Sequence, residues 1–241
     1  MGQSFVLETI SAKNLGAFAL PGTCGKCLWL KARLGFNTPW SIFPGIFSTL
    51  DSFSKKISTL QINAGTRAQW MSKCGSIKEQ LPCPHWSKFS CKDPTTGVTL
   101  RGSPDELFRL EDGTIAILDY KTSKFTDHQD DLLPMYQTQL GAYKWLARMT
   151  GLGETSLTAL VYFEPDPAGA VQERIVEAGF QMQFNAHVLP VQTDVDEVLA
   201  LLKHAKEHVS LATPPPSKAK CKDCALVEKI VGIEKMMEMP A

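Results

Sequence analysis

The chain has 241 residues, 44% of them hydrophobic, with a formal net charge of zero. That length suits one large domain, or one domain with a small appendage. The neutral balance excludes nucleic-acid binding through bulk charge, so such binding needs a local patch. No run approaches the ~20 apolar residues of a membrane span. Residues 1–20 lack a basic flank followed by a long apolar block, so no signal peptide is expected. The expected location is the cytoplasm, away from membranes. Seven cysteines in such a chain point to a reducing compartment, and to metal or cluster ligation rather than disulfides.

Residues 4–16 mix polar and apolar positions and predict little regular structure. Cys24 and Cys27 form a CxxC at the start of a helical stretch, 27–35, that stops at Gly35. Phe43, Ile46, Phe47, Leu50, Phe53 and Ile57 recur at helical spacing and predict a core helix. A further helix is expected near 65–72, carrying Arg67, Gln69 and Trp70, and residues 73–96 read as irregular. Cys74, Cys83, His85 and Cys91 are spaced too widely for the short paired spacings of common zinc sites, and the thiols read as free.

Residues 106–118 predict a tight β-hairpin. Leu107–Leu110 is one strand and Ile115–Leu118 the return. Asp112-Gly113 supplies the positive φ of a two-residue loop. Asp105 falls where the first strand begins and Asp119 where the second ends. Antiparallel pairing therefore brings the two carboxylates to the same end of the sheet. Lys121 is two residues past Asp119, on the same face. Two acids and a lysine at one sheet end suit holding a divalent ion and activating a water.

Residues 122–134 read as a polar, acidic loop. A helix is expected from near Pro134, an N1-type proline, to about Met149. Gln139 and Tyr143 share one of its faces, with Leu140, Trp145 and Leu146 packing beneath. Strands follow at 157–163, 172–176 and 179–188. The stretch 194–211 is a helix with an acidic first turn, Asp194, Asp196 and Glu197; its His204 and His208 read as solvated. Residues 213–217 form a stiff Pro-rich linker before a second CxxC, Cys221 and Cys224, and a short apolar helix. The expected division is 1–212 as one domain and 213–241 as a linker and segment packing back on it. The expected fold is α/β: a mixed central sheet, with strands near 98–102, 106–111, 114–120, 157–163 and 172–188, flanked by helices.

Gly102-Ser103-Pro104-Asp105, the hairpin, Asp119-Tyr120-Lys121 and Gln139-Leu140-Gly141-Ala142-Tyr143 follow one another in the motif order of the PD-(D/E)XK nuclease superfamily. The set resembles RecB-like and CRISPR-adaptation exonucleases. That resemblance implies a restriction-endonuclease-like fold and metal-dependent hydrolysis of phosphodiester bonds in DNA, as an exonuclease of repair, recombination or CRISPR-type processing. It implies a helicase or CRISPR/recombination partner and leaves the oligomeric state open. It assigns Asp105, Asp119 and the Tyr120 carbonyl as ligands of Mg²⁺ or Mn²⁺. Lys121 would orient a water or neutralise charge, and Gln139 and Tyr143 would position the phosphate or the lysine.

Such relatives often hold an iron–sulfur cluster on cysteines from both ends of the chain. Cys24, Cys27, Cys221 and Cys224 occupy such positions, two and two where the relatives usually have one and three. Four thiolates satisfy zinc or a cluster alike, and the site would clasp the two ends together. Many relatives carry a histidine ligand on a helix upstream of the first motif; Gln69 stands at the equivalent place here. Asp51 is the only acid between Lys31 and Lys78 and the candidate for the acid that relatives carry on their first helices. Two other readings compete: a nuclease fold that binds nucleic acid or a partner without cleaving, and a zinc-ribbon-like interaction protein. The long gap between the CxxC pairs disfavours the second.

Overall fold

The computed structural model describes residues 5–36, 44–125, 131–168 and 175–237, with side chains to residue 232. The expected Phe43 and the centre of the 122–134 loop lie outside these. Ten strands form along the described chain: β1 (Thr9–Ser11), β2 (Ile77–Leu81), β3 (Ser90–Lys92), β4 (Thr99–Arg101), β5 (Glu106–Leu110), β6 (Ile115–Lys121), β7 (Thr155–Asp166), β8 (Ile175–Val176), β9 (Gly179–Phe180) and β10 (Gln183–Pro190). Six helices accompany them: α1 (Ala12–Gly16), α2 (Gly25–Arg33), α3 (Gly45–Asn63), α4 (Leu133–Met149), α5 (Val195–Ser210) and α6 (Lys222–Met237).

Five strands build the central sheet in the order β10-β7-β6-β5-β2. Only the β6–β7 pair is parallel, as the α4 crossover between them requires; the other three pairs are antiparallel. The sheet is therefore mixed and flanked by helices. Period-2 alternation sorts its side chains. Leu107, Ile115 and Ile117 join Leu140 and Leu146 of α4 and Leu202 of α5 on one face. Phe108, Leu110, Ala116, Leu118 and Tyr120 join Met71, Cys74 and Ile77 on the other. Asp119 and Lys121 continue the first series, so both emerge toward α4 at the sheet end.

Several local expectations are corrected. The strand near 98–102 lies not in the central sheet but in a separate three-stranded sheet, β1-β4-β3. Of the stretch expected at 172–188 only β10 joins the central sheet, β8 and β9 pairing with each other and residues 172–174 lying outside the described ones. Residues 4–16 are ordered because Ile10 and Leu15 are buried and β1 adds parallel to β4. The stretch 73–96 supplies the edge strand β2 and the short β3. The hairpin loop has three residues rather than two: Gly113 N–H donates to Leu110 O and Leu110 N–H to Thr114 O. Gly113 alone takes positive φ, at 83°, and Asp112 instead accepts from the Thr114 amide and hydroxyl. The helix expected near 65–72 is a 3₁₀ turn over Gln69–Cys74.

The largest correction concerns α3. Its apolar stripe was expected in the core, yet Ile46, Phe47, Phe53, Ile57 and Leu60 are exposed and Ser58 is its buried residue. The helix turns its polar face inward because a buried acceptor waits there. Glu106, 2% exposed, accepts from Ser58 Oγ at 2.7 Å, Gln80 Nε2 at 2.8 Å and Tyr120 OH at 3.0 Å. A buried carboxylate is tolerable only with its lone pairs satisfied, and these donors come from α3, β2 and β6.

The two ends of the chain meet. α2 is capped by Cys24 and Cys221 directly precedes α6, so each CxxC lies at a helix N-terminus. Ion pairs Lys26–Glu228, 3.2 Å, and Lys31–Asp223, 3.6 Å, link the two helices. His208 was expected to be solvated; instead it is half-buried, with Nε2 2.8 Å from Gly25 O, joining α5 to α2. His204 is exposed.

Candidate active site

The sheet end where β5 begins and β6 ends opens into a cavity of about 750 Å³. Asp51, Asp105, Asp119, Tyr120, Lys121, Gln139 and Tyr143 all line it, as do Arg101 and Lys13. Asp105 is tied to the end of β6 twice. Its amide donates to Leu118 O at 3.2 Å, and its Oδ2 accepts from Tyr120 N–H at 2.7 Å.

Asp119 is buried, 3% exposed. Its Oδ1 accepts from Gln139 Nε2 at 2.8 Å, and the same nitrogen donates to Tyr143 OH at 2.8 Å. A carboxylate has no proton to give, so the Gln139 amide must present its NH₂ to Asp119. Oδ2 of Asp119 forms a close ion pair with Lys121 and has no other polar partner in the described structure. The Lys121 ammonium also stands over the Tyr136 ring, 4.2 Å from its centroid. Burial, with Asp105 adding to it, pushes the Asp119 carboxyl up to about 6 against the opposing pull of Lys121.

Tyr143 fixes the local backbone. A Cβ on Gly102 would sit 2.4 Å from the Tyr143 ring, a distance no side chain tolerates. Glycine in the Gly-x-x-Asp motif therefore lets the chain pass under the tyrosine and deliver Asp105.

Two residues were missed by reading the sequence. Lys55 Nζ bridges Asp51 Oδ2 at 2.9 Å and Asp105 Oδ1 at 2.7 Å. The two carboxylates raise its pKa although burial opposes them. The signal was available, since Asp51 and Lys55 are four apart on a helix. Glu106, adjacent to Asp105, carries the anchoring network and gave no sequence signal beyond its charge. Gln69 is not brought to the cavity; it lies exposed on the 3₁₀ turn, while its neighbours Ala68 and Trp70 face another groove.

The donor set fits a divalent cation. Hard carboxylate oxygens of Asp105 and Asp119 line one cavity at the sheet end, the donor type that divalent cations take.

The four end cysteines form a second centre. Their sulfurs all lie within 4.8 Å of one another. Cys24–Cys224 is 3.6 Å, while Cys27–Cys221 and Cys27–Cys224 are each 3.4 Å. The Lys218 amide donates to Cys24 Sγ at 3.2 Å. Burial raises the Cys24 thiol, yet this amide and the neighbouring groups outweigh it and bring it down to about 6. Amide donors of this kind favour thiolate ligands. Cys74, Cys83 and Cys91 take no part in the cluster.

A family model for the PD-(D/E)XK nuclease superfamily matches residues 61–228, and the chain belongs to that superfamily. The match begins after Asp51 and Lys55. No curated protein matches the chain. Among solved structures it is similar to one titled "Crystal structure of SSO0001", with 14% identity, 82% of this chain and 75% of that chain covered, and a TM-score of 0.39. It is also similar to LHK-Exo in complex with dAMP, with 12% identity, 96% of this chain and 94% of that chain covered, and a TM-score of 0.35. Likeness at that level transfers neither substrate nor mechanism.

The raised Asp119 pKa makes a stability prediction with a definite sign. An ordinary aspartate titrates near ~3.9 when unfolded, so the native state binds this proton more tightly. Stability contributed by the group is therefore present below pH ~4 and lost as pH rises through about 6. Asp119→Asn, uncharged throughout, should stabilise the metal-free protein at pH 7.5 by about 2–3 kcal/mol, with a smaller gain at pH 5. Urea denaturation at both values checks this; equal or lower stability of the variant at pH 7.5 contradicts it.

Proposed function

We propose that the chain is a Mg²⁺- or Mn²⁺-dependent deoxyribonuclease, acting as an exonuclease on DNA in repair, recombination or CRISPR-type processing. The observation that carries this reading is the convergence of Asp105, Asp119, Lys121 and Gln139 on one cavity in a chain of the nuclease superfamily. Asp105 and Asp119, with the Tyr120 carbonyl, would hold the ion. When bound, it supplies positive charge to the phosphate and lowers the pKa of a water.

The remaining work falls to side chains. Gln139 holds the Asp119 carboxylate in one orientation through Oδ1 and is itself held by Tyr143. Lys121, restrained between Asp119 and the Tyr136 ring, orients the attacking water and offsets charge developing on the phosphate. Lys55 adds a second ammonium at Asp105, and Arg101 and Lys13 line the same cavity, cations of the sign that attracts a phosphate backbone.

Asp119→Ala and Lys121→Ala should each lower Mn²⁺-dependent cleavage of a labelled oligonucleotide at least a hundredfold while leaving the circular dichroism spectrum intact. Full cleavage by both variants would move the chain to the alternative reading, a nuclease fold that binds without cutting.

We further propose that the cysteines hold one structural zinc ion rather than an iron–sulfur cluster. Support comes from four sulfurs all within 4.8 Å of one another, three of whose separations are 3.4–3.6 Å, near the ~3.8 Å edge of a tetrahedron with ~2.3 Å metal–sulfur bonds. A cluster spreads its thiolates over several irons and sets them wider. Protein purified without air should be colourless and carry one zinc per chain, and Cys221→Ser should lose the metal and stability together. Brown protein with visible absorption would identify the cluster instead.

A further inference from the structure

A groove of about 360 Å³ runs beside the catalytic cavity and shares Thr122 with it. One wall is the apolar stripe of α3, Leu50, Phe53 and Ile57; the other is Phe163 of β7, Phe184 of β10 and Met182 just before β10. Trp70 closes it, standing edge-to-face against both Phe163 and Tyr120, with ring centroids 6.1 and 6.2 Å away. Among the described residues no charged side chain lines the groove, whose polar groups are Ser54, Ser58, Gln61, Thr122 and the Trp70 indole. Phe53 is 60% exposed and Met182 48%, so this aromatic surface is open to a ligand.

The two cavities differ in charge. One presents acids, Lys121, Arg101 and Lys13 beside Phe47, Trp86 and Tyr136; the other presents aromatic and aliphatic surface with a few hydroxyls, an amide and, among the described residues, no charged side chain. α3 is the ridge between them, with Asp51 and Lys55 toward the first and Leu50, Phe53 and Ile57 toward the second. A nucleotide has the same two-part character, an anionic phosphate joined to a flat apolar base with polar edges. Given the nuclease reading above, we propose that the groove receives an unstacked nucleobase of the strand whose phosphate enters the catalytic cavity. The substrate is then a single strand, or a frayed end, rather than an intact duplex. A base within a duplex is already stacked on both faces and cannot reach such a wall without leaving the stack, whereas single strands are gripped by aromatic side chains and nearby cations.

The test is binding of a fluorescent 12-nucleotide single strand in buffer free of Mg²⁺ and Mn²⁺, so that no cleavage is needed for the readout. The comparison ligands are the same strand with one abasic nucleotide, moved position by position, and the blunt duplex. The wild-type chain should bind the single strand at least tenfold tighter than the duplex, and an abasic nucleotide at one position should weaken it about tenfold. Phe53→Ala and Met182→Glu change exposed residues and should fold. Both should weaken the intact strand to the level of the abasic one and become insensitive to the abasic position. Base-dependent binding without cleavage under any divalent ion would refute the nuclease reading and uphold the groove. Cleavage with equal affinity for intact and abasic strands, or preference for the duplex, would overturn the groove and leave the nuclease. Self-association lost in Met182→Glu, with oligonucleotide affinity unchanged, would give the groove to a second copy of the chain and overturn the proposal.

Discussion

The pairing of β5 with β6 is the constraint on which the site depends. Its register, Glu106 opposite Leu118, places Asp105 beside the last turns of β6, where the Tyr120 amide fixes its carboxylate. A slip of one residue would turn Asp119 and Lys121 to the opposite face, away from α4 and Gln139. The three-residue loop at Gly113 holds that register from one end. The parallel β7 strand holds it from the other, with Asp119 opposite Leu160.

Around this pairing the structure accepts costs that a purely stable protein avoids. Asp119 is buried beside another acid, and Glu106 is buried without a cationic partner among the described residues. The first is balanced by Lys121 and Gln139, the second by three hydrogen-bond donors from separate elements. The Glu106 network also decides how α3 sits. With Ser58 drawn inward and Lys55 reaching Asp105, the apolar stripe of the helix has to face outward. One inward polar contact thus creates both the wall of the catalytic cavity and the exposed wall of the adjacent groove.

Much of the sheet end that carries the candidate site was legible in the sequence because the information there is local. The alternation of residues 107–121, the presence of a tight turn at Asp112-Gly113, though not its three-residue length, and the i, i+4 spacing of Gln139 and Tyr143 each follow from backbone geometry. The cysteine quartet was legible from matched CxxC pairs taken together with the family resemblance, which implies one site built from both ends of the chain. What was not legible depends on distant partners. The amphipathic pattern of α3 shows that one face is apolar but not that the polar face is the buried one; that follows from Glu106, 48 residues from Ser58. β1, β2 and β3 are short, and their order comes from neighbours such as β4 and β5 rather than from their own patterns. His208 looked solvated because its partner, the Gly25 carbonyl, lies 183 residues away.

The proposed chemistry requires that Asp105 and Asp119 at one sheet end share a single divalent ion. Titration of Mn²⁺ into protein already loaded at its cysteines, followed by the loss of the free-ion electron paramagnetic resonance signal, tests it directly. The account predicts one Mn²⁺ per chain at this site, with affinity lowered at least tenfold by Asp105→Asn and by Asp119→Asn alike. Binding that is unchanged in either variant would contradict a shared ion.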